Sequence, residues 1–280
     1  MKFIHTFWSK PLLLKRFRES DKEVILYNYA CSVASVKHFG HNIELYTDEY
    51  GKELLGYLPY DNIHIIDNIK NDNIAFAAQF KFEALKRCEL GDCLIDGDLF
   101  LHREPVYERI AELQQKCDLI YSFNEDTEYI VGGSNTEGVK NYLFMENLFN
   151  NSKMYDGIRV PALSEIYFYN TSFMCFMNQD LKDKYIEQYY YHVNLFNNID
   201  FGNAWPDLYF EQNFLKQMCD NGNYKASPVL EVFPVVNNDA FMVLGFTHMG
   251  CNKLAGIHIV KELLSNMDQD IFYDTVSKLV

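Results

Sequence analysis

The sequence predicts an α/β protein built on one mainly parallel central sheet flanked by helices. Three observations lead there. Over the first 100 residues, short apolar runs of strand length alternate with segments whose apolar residues recur at helical spacing. The chain has 280 residues, 48% hydrophobic and 23% charged, which suits a globular protein with a sizeable core. No repeat, Pro- or Ser-rich linker or low-complexity tract interrupts it, so one domain over 1–280 is expected.

Each element follows from local signals. Residues 2–8 (KFIHTFW) read as the first strand. Ser20 and Glu23 make a capping box. A helix follows over about 21–39 and stops at Gly40. Residues 43–47 and 63–67 are the second and third strands, with a short polar helix or loop between them. Ile74, Ala77, Ala78 and Leu85 stand at helical spacing within 74–88. Gly91 breaks that helix, and 93–96 is a short buried strand. Pro105 opens another helix, and 118–123 is a fifth strand. Residues 124–138 are polar and Gly-rich and read as loop; 166–177 read as a strand with a polar interruption. Helices follow at about 180–196 and 207–220, then strand and loop over 229–250 and a helix from about 258.

Charge and composition exclude several classes. Asp and Glu total 39 against 25 Lys and Arg, a net charge of −14, and the pI is about 5.0. A basic surface for phosphate neutralisation is missing, so no nucleic-acid partner is expected. No run reaches the ~18 apolar residues of a membrane span, and the start lacks a secretory apolar segment. A cytoplasmic protein is expected, with the inner membrane face as a peripheral site. The seven cysteines are scattered without a CxxC pair and read as free buried thiols in a reducing compartment. Aromatics make up 16%. Core packing accounts for most of them, although Tyr and Trp beside acids also suit sugar rings.

The segment with chemistry is Leu94-Ile95-Asp96-Gly97-Asp98-Leu99-Phe100. On a regular strand, residues two apart share a face with each other but not with the residue between them; at a strand end the chain turns, and Gly97 allows that turn. Asp96 and Asp98 can then converge on one hard cation, Mn²⁺ or Mg²⁺. In open α/β sheets ligands sit beyond the carboxyl ends of the strands, where this pair falls. As a bare tripeptide Asp-Gly-Asp is also a common turn. Two charges between apolar runs nonetheless need something to bind them.

The stretch from Ala75 to Leu101 resembles the metal-binding region of GT-A-fold glycosyltransferases: a helix carrying Lys81-Phe82-Glu83-Ala84-Leu85, a glycine, a short apolar strand, then Asp-x-Asp. Ile4-His5-Thr6-Phe7-Trp8 resembles the first strand of family 32, although Ala77 and Ala78 replace that family's Ser-Asp pair. His248-Met249-Gly250-Cys251-Asn252-Lys253 resembles the His-x-x-Gly-x-x-Lys element of family 8, one residue shorter. The resemblance implies a GT-A-like fold, with His248 as third metal ligand (His258 as fallback) and Lys253 on the donor diphosphate. Asp207 to Gln212 resembles the acidic-Gln segment near the acceptor. It implies Glu211 as the catalytic carboxylate, as base or as stabiliser of an oxocarbenium-like centre, and Gln212 in acceptor binding. Asn170 resembles an acceptor-loop asparagine. Donor recognition falls to His5, Thr6, Trp8, Asp48, Lys81, Asp96 and Gly97. Each has a plainer reading: His248 a loop histidine, Glu211 a helix-terminal acid, Asn170 a turn residue, Trp8 a core residue.

The expected function is a metal-dependent glycosyltransferase moving a sugar from a nucleotide-sugar to a saccharide or lipid-linked acceptor, in bacterial surface polysaccharide synthesis, with retention favoured. Residues 1–123 would bind donor and 124–280 acceptor. Two rivals remain: a non-catalytic nucleotide or carbohydrate binder, and a nucleotidyltransferase or phosphohydrolase using the same carboxylates. A zinc protease, an α/β-hydrolase and a dinucleotide oxidoreductase lack their motifs.

Overall fold

The computed structural model describes residues 1–13, 19–67, 69, 74–125, 136–159, 168–201, 206–231, 245–248 and 257–279. Strand β1 (Lys2–Phe7) leads through α1 (Lys10–Leu13) to the long helix α2 (Glu19–His38). That helix starts one residue ahead of the expected Ser20 cap and ends at Gly40, whose φ of +71° is the left-handed stop that glycine accepts. Then come β2 (Asn42–Thr47), α3 (Glu49–Leu55) and β3 (Asn62–Ile65). The expected helix over 74–88 is shorter. A 3₁₀ turn (Ile74–Phe76) precedes α4 (Gln79–Leu85). Next are β4 (Cys93–Ile95), β5 (Leu99–Leu101), α5 (Glu104–Gln114), β6 (Leu119–Tyr121) and β7 (Asn124–Glu125).

Helix α6 (Thr136–Asn150) was not signalled by the sequence pattern. The polar interruption expected within 166–177 divides that run into β8 (Phe168–Tyr169) and β9 (Phe173–Phe176). Helix α7 (Gln179–Phe196) follows, and then a π-helical turn (Leu208–Asn213) running into α8 (Phe214–Gly222). The described chain closes with β10 (Ala226–Pro228), β11 (Phe246–His248), α9 (Ile257–Met267) and α10 (Gln269–Ser277). Among the described residues no helix is long and apolar enough to cross a membrane.

The central sheet has seven strands in the order β10-β6-β9-β4-β1-β2-β3. β1 pairs in parallel with β2 and β4, β2 with β3, and β6 with β10, while β9 runs antiparallel to both β4 and β6. The sheet is therefore mainly parallel, and it draws strands from both halves of the sequence. Its carboxyl rim gathers the ends of β1, β2, β4 and β6 together with the start of β9. A two-stranded ribbon, β5 with β11, crosses beside it.

Helices cover both faces. Phe3 and Phe7 of β1 lie in the core under α2, α5, α9 and α10, and Ile4 lies in the other core, under α4, α6, α7 and α8. Strand alternation assigns these sides. The aromatic surplus packs mostly in the second core: Phe82 stacks on Tyr189 at 3.6 Å between centroids, and Phe149 contacts Phe196, Phe210 and Phe214. Cys31, Cys88, Cys93, Cys117, Cys175 and Cys219 are free and buried; Cys251 lies outside the described residues.

Candidate active site at the carboxyl rim of the sheet

Asp96 follows β4 directly, and the turn Asp96-Gly97-Asp98 leads into β5. The turn is closed by the Leu99 N–H donating to the Asp96 carbonyl at 3.0 Å, and it is tied to β9 by the Asp96 N–H donating to the Ser172 carbonyl at 2.8 Å. Glycine stands at 97 for a different reason from the one expected. Its φ is not among the positive values, but a Cβ there would meet the Tyr29 ring at 2.3 Å. That ring is pinned because the Tyr29 hydroxyl donates to the Thr6 carbonyl at 2.7 Å. Gly97→Ala therefore drives the ring off Thr6. It should cost about 1–3 kcal/mol, as overpacking does, and a melting temperature equal to wild type would contradict this contact.

His248 reaches the turn through β11, which pairs Phe246 with Leu101, Thr247 with Phe100 and His248 with Leu99. One ligand atom each from Asp96, Asp98 and His248 lie within 4.8 Å of one another, and His248 Nε2 is 3.7 Å from Asp98 Oδ2. Ligands opposed on one ion at about 2.1 Å lie about 4.2 Å apart, so a small contraction seats all three. Two carboxylates and an imidazole suit a divalent cation. His258, the fallback, is exposed on α9.

Lys81 of α4 is buried beside this cluster. Its Nζ lies 2.9 Å from Asp96 Oδ1 and 2.5 Å from Glu211 Oε1, and donates to the Thr171 carbonyl at 3.2 Å. Burial opposes the ammonium charge, but Asp96 and Glu211 outweigh it and hold Lys81 above the ordinary lysine value. The expected donor contact of Lys81 thus becomes an internal one, a cation shared by two acids.

Glu211 sits in the π-helical turn, a distortion frequent at functional sites. Lys81 and the Thr171 hydroxyl (2.6 Å) both engage Oε1, and no described residue bonds to Oε2. The Tyr185 hydroxyl donates to the Glu211 carbonyl at 2.8 Å, and the Gln188 amide to that of Phe210, also at 2.8 Å, which fixes the turn. Gln212 carries a buried side-chain carbonyl oxygen with no hydrogen-bond partner among the described residues. Such an orphan acceptor costs about 1–3 kcal/mol unless a donor arrives.

Three expected contact residues are spent on structure. His5 is fully buried: Nδ1 lies 2.8 Å from the Tyr60 hydroxyl and Nε2 lies 2.9 Å from the Ser32 hydroxyl. Burial lowers its pKa to about 3, despite Asp98. It shares a strand face with Phe3 and Phe7, so the period of β1 turns it into the core. Asp48 caps α3: Oδ1 accepts from the Gly51 N–H at 2.8 Å and Oδ2 from the Ser9 hydroxyl at 2.7 Å. Asn170 is a buried turn residue whose Oδ1 accepts from the Ser172 N–H at 3.0 Å. Trp8 is half-buried, stacked on Phe80 at 6.1 Å, and Thr6 is half-buried. Lys253 and residues 126–135 of the expected polar loop lie outside the described residues.

The site also contains residues the sequence did not flag. Glu125 of β7 is buried and accepts from the Asn170 amide at 2.7 Å. Burial raises its carboxyl, Asn170 and His248 pull it down, and Glu211 adds to the rise. Its only sequence signal was an acid at the start of a polar loop. Thr171 had a faint signal as part of the polar interruption. Asp207 anchors the π-helical turn to α4, accepting from the Ala78 N–H at 2.9 Å and the Tyr189 hydroxyl at 3.1 Å. Burial lifts its carboxyl to about 7. The folded state therefore holds this proton more tightly than the unfolded chain, and stability falls as pH rises from about 4 to 7. Asp207→Asn should gain melting temperature relative to wild type between pH 5 and pH 8. A gap that does not change with pH would contradict the raised value.

The sequence profile of one family matches residues 1–269, nearly the whole chain. The chain belongs to the family of unknown function DUF6734. No curated protein matches it. Among solved structures, this DUF6734 chain is similar to the galactosyltransferase LgtC in complex with donor and acceptor sugar analogues, at 12% identity and a TM-score of 0.46, covering 95% of this chain and 96% of that one. It is also similar to apo mouse xyloside xylosyltransferase 1, at 9% identity and a TM-score of 0.46, covering 90% and 99%. A third is 4-diphosphocytidyl-2C-methyl-D-erythritol synthase from Anaerococcus prevotii, at 13% identity and a TM-score of 0.41, covering 87% and 95%. Likenesses at this level assign neither substrate nor reaction.

Proposed function

We propose that the chain is a metal-dependent glycosyltransferase of GT-A type. It moves a sugar from a nucleotide-sugar donor to a saccharide or lipid-linked acceptor in bacterial surface polysaccharide synthesis, at the cytoplasmic side of the membrane. The observation that carries this reading is the meeting of Asp96, Asp98 and His248 at the sheet rim, next to a Glu211 held by Lys81. Family resemblance to families 8 and 32 in the same segments supports it.

Asp96, Asp98 and His248 would hold the divalent ion, Mn²⁺ in preference to Mg²⁺ because one donor is an imidazole. Such an ion supplies positive charge to a diphosphate leaving group. Lys81 and Thr171 hold Glu211 through Oε1 and leave Oε2 for substrate. That oxygen faces the reacting carbon, stabilising an oxocarbenium-like centre in a retaining transfer. The unpartnered Gln212 oxygen accepts a sugar hydroxyl, which repairs its lost hydrogen bond. Thr6, the open part of Trp8 and Lys253 complete the donor site in the 1–123 half and the late loop, and residues 124–280 take the acceptor.

A thermal-shift screen of UDP, GDP and their sugars, with and without Mn²⁺, tests this. The expected result is a melting temperature raised by one nucleotide class only with Mn²⁺ present, since ligands selective for the native state stabilise it. Slow donor hydrolysis to a nucleoside diphosphate should accompany it. Release of pyrophosphate from a nucleoside triphosphate supplied with a sugar phosphate would assign nucleotidyl transfer instead, and Mn²⁺-independent binding without turnover would assign a binding protein.

A further inference from the structure

Cys93 of β4 and Cys175 of β9 stand directly opposite each other across an antiparallel pair. The Asp96 N–H donates to the Ser172 carbonyl, so 96 and 172 form a hydrogen-bonded pair, and pair types alternate along such a ladder. Three steps away, 93 and 175 are a non-hydrogen-bonded pair, the type whose Cα atoms lie about 4.5 Å apart with side chains closest. The far side of β9 agrees. The Met177 N–H donates to the Asp118 carbonyl, so Cys175, two residues back, turns its backbone to β6 and not to β4. That spacing falls inside the ~4.4–6.8 Å that a disulfide spans.

The two thiols share one face of the sheet and one core cluster. Gln114 of α5 aims its amide at both: Nε2 lies 3.4 Å from Cys175 Sγ and 3.9 Å from Cys93 Sγ, while also donating to the Gly91 carbonyl at 2.9 Å. Gly91, Asp92 and Met177, around the pair, are partly exposed, while both cysteines are themselves fully buried.

We infer that Cys93 and Cys175 are an oxidisable dithiol that hydrogen peroxide closes into a cross-strand disulfide. The Cys175 sulfur attacks one peroxide oxygen and becomes a sulfenic acid as the O–O bond breaks and the other oxygen leaves as water. The Cys93 sulfur then attacks that sulfenic sulfur, displacing a second water. Two thiols are oxidised by two electrons while one peroxide is reduced to two waters. The bond would fasten the strand ending at Asp96 to the strand that begins just after Thr171 and Ser172. The inference does not depend on the proposed transfer reaction.

The folded protein is treated with hydrogen peroxide, then denatured, alkylated and digested for peptide mapping. The expected product is a cross-linked peptide pair joining 93 to 175, two hydrogens lighter than the dithiol and split again by a reductant. In Cys93→Ser, Cys175 should stop at the sulfenic acid and be trapped by dimedone. Cys93 and Cys175 staying fully alkylatable in peroxide-treated wild type, or ending as two separate sulfonic acids, would overturn the inference. The wild-type map decides the matter even where a variant folds poorly.

Discussion

Asp96→Ala should abolish Mn²⁺-dependent binding of nucleoside diphosphates while leaving the fold intact. Asp96 supplies one of three converging donors, and its side chain is the more open of the two acids, 34% exposed against 9% for Asp98. Even groups that only orient a metal ligand cost about 10–100-fold in affinity when removed, so losing a ligand should cost at least about 100-fold. The fold should tolerate the change. The Asp96 N–H bond to the Ser172 carbonyl uses backbone alone, and Lys81 keeps Glu211 as its partner. Calorimetric titration of the diphosphate with and without Mn²⁺ measures the effect. Undiminished Mn²⁺-dependent binding in a folded Asp96→Ala protein would end the metal assignment. His248→Ala should weaken the same binding less, because both carboxylates remain.

Lys81→Met should destabilise the protein by about 3–5 kcal/mol, the cost of stripping one partner from a buried ion pair. Methionine keeps the apolar stem and removes only the charge and donors. Asp96 and Glu211 then face each other without the cation between them, and the Thr171 carbonyl loses its donor. The native contribution of Lys81 is fully present at neutral pH, because a raised lysine value protects stability until pH climbs past the ordinary value of 10.5. For a chain of this size the loss corresponds to roughly 5–9 °C in melting temperature. The deficit should shrink at acid pH, where the abandoned carboxyls take up protons. A melting temperature within a degree of wild type at pH 7 would show that the pair contributes little. Donor hydrolysis should fall in parallel, since Glu211 loses the contact that aims it.

The strands of the first hundred residues were legible because parallel strands buried on both faces are near-continuous apolar runs, and Asp-Gly-Asp stood out against them. Two expected donor residues at that end of the sheet have structural partners of their own. His5 lies between Phe3 and Phe7 on a core-facing side of β1, and its period-2 position already said so. Asp48 stands just before Glu49 as a helix cap, a local signal that outranks a ligand contact. The helix α6 went unread because its amphipathic pattern is weak and its first turns lie in a polar stretch.

What the sequence determined by itself was local: where strands and helices form, that the sheet is mainly parallel, and that two acids end a buried strand. Those follow from periodicity and from the conformational preferences of neighbouring residues. The tertiary structure decided which distant residues join them. His248 reaches Asp98 only through the β5–β11 register, about 150 residues away in sequence, and Lys81 meets Glu211 only because α4 packs against the π-helical turn. Such contacts depend on how whole elements pack and carry no mark at either residue, so only the folded chain reveals them.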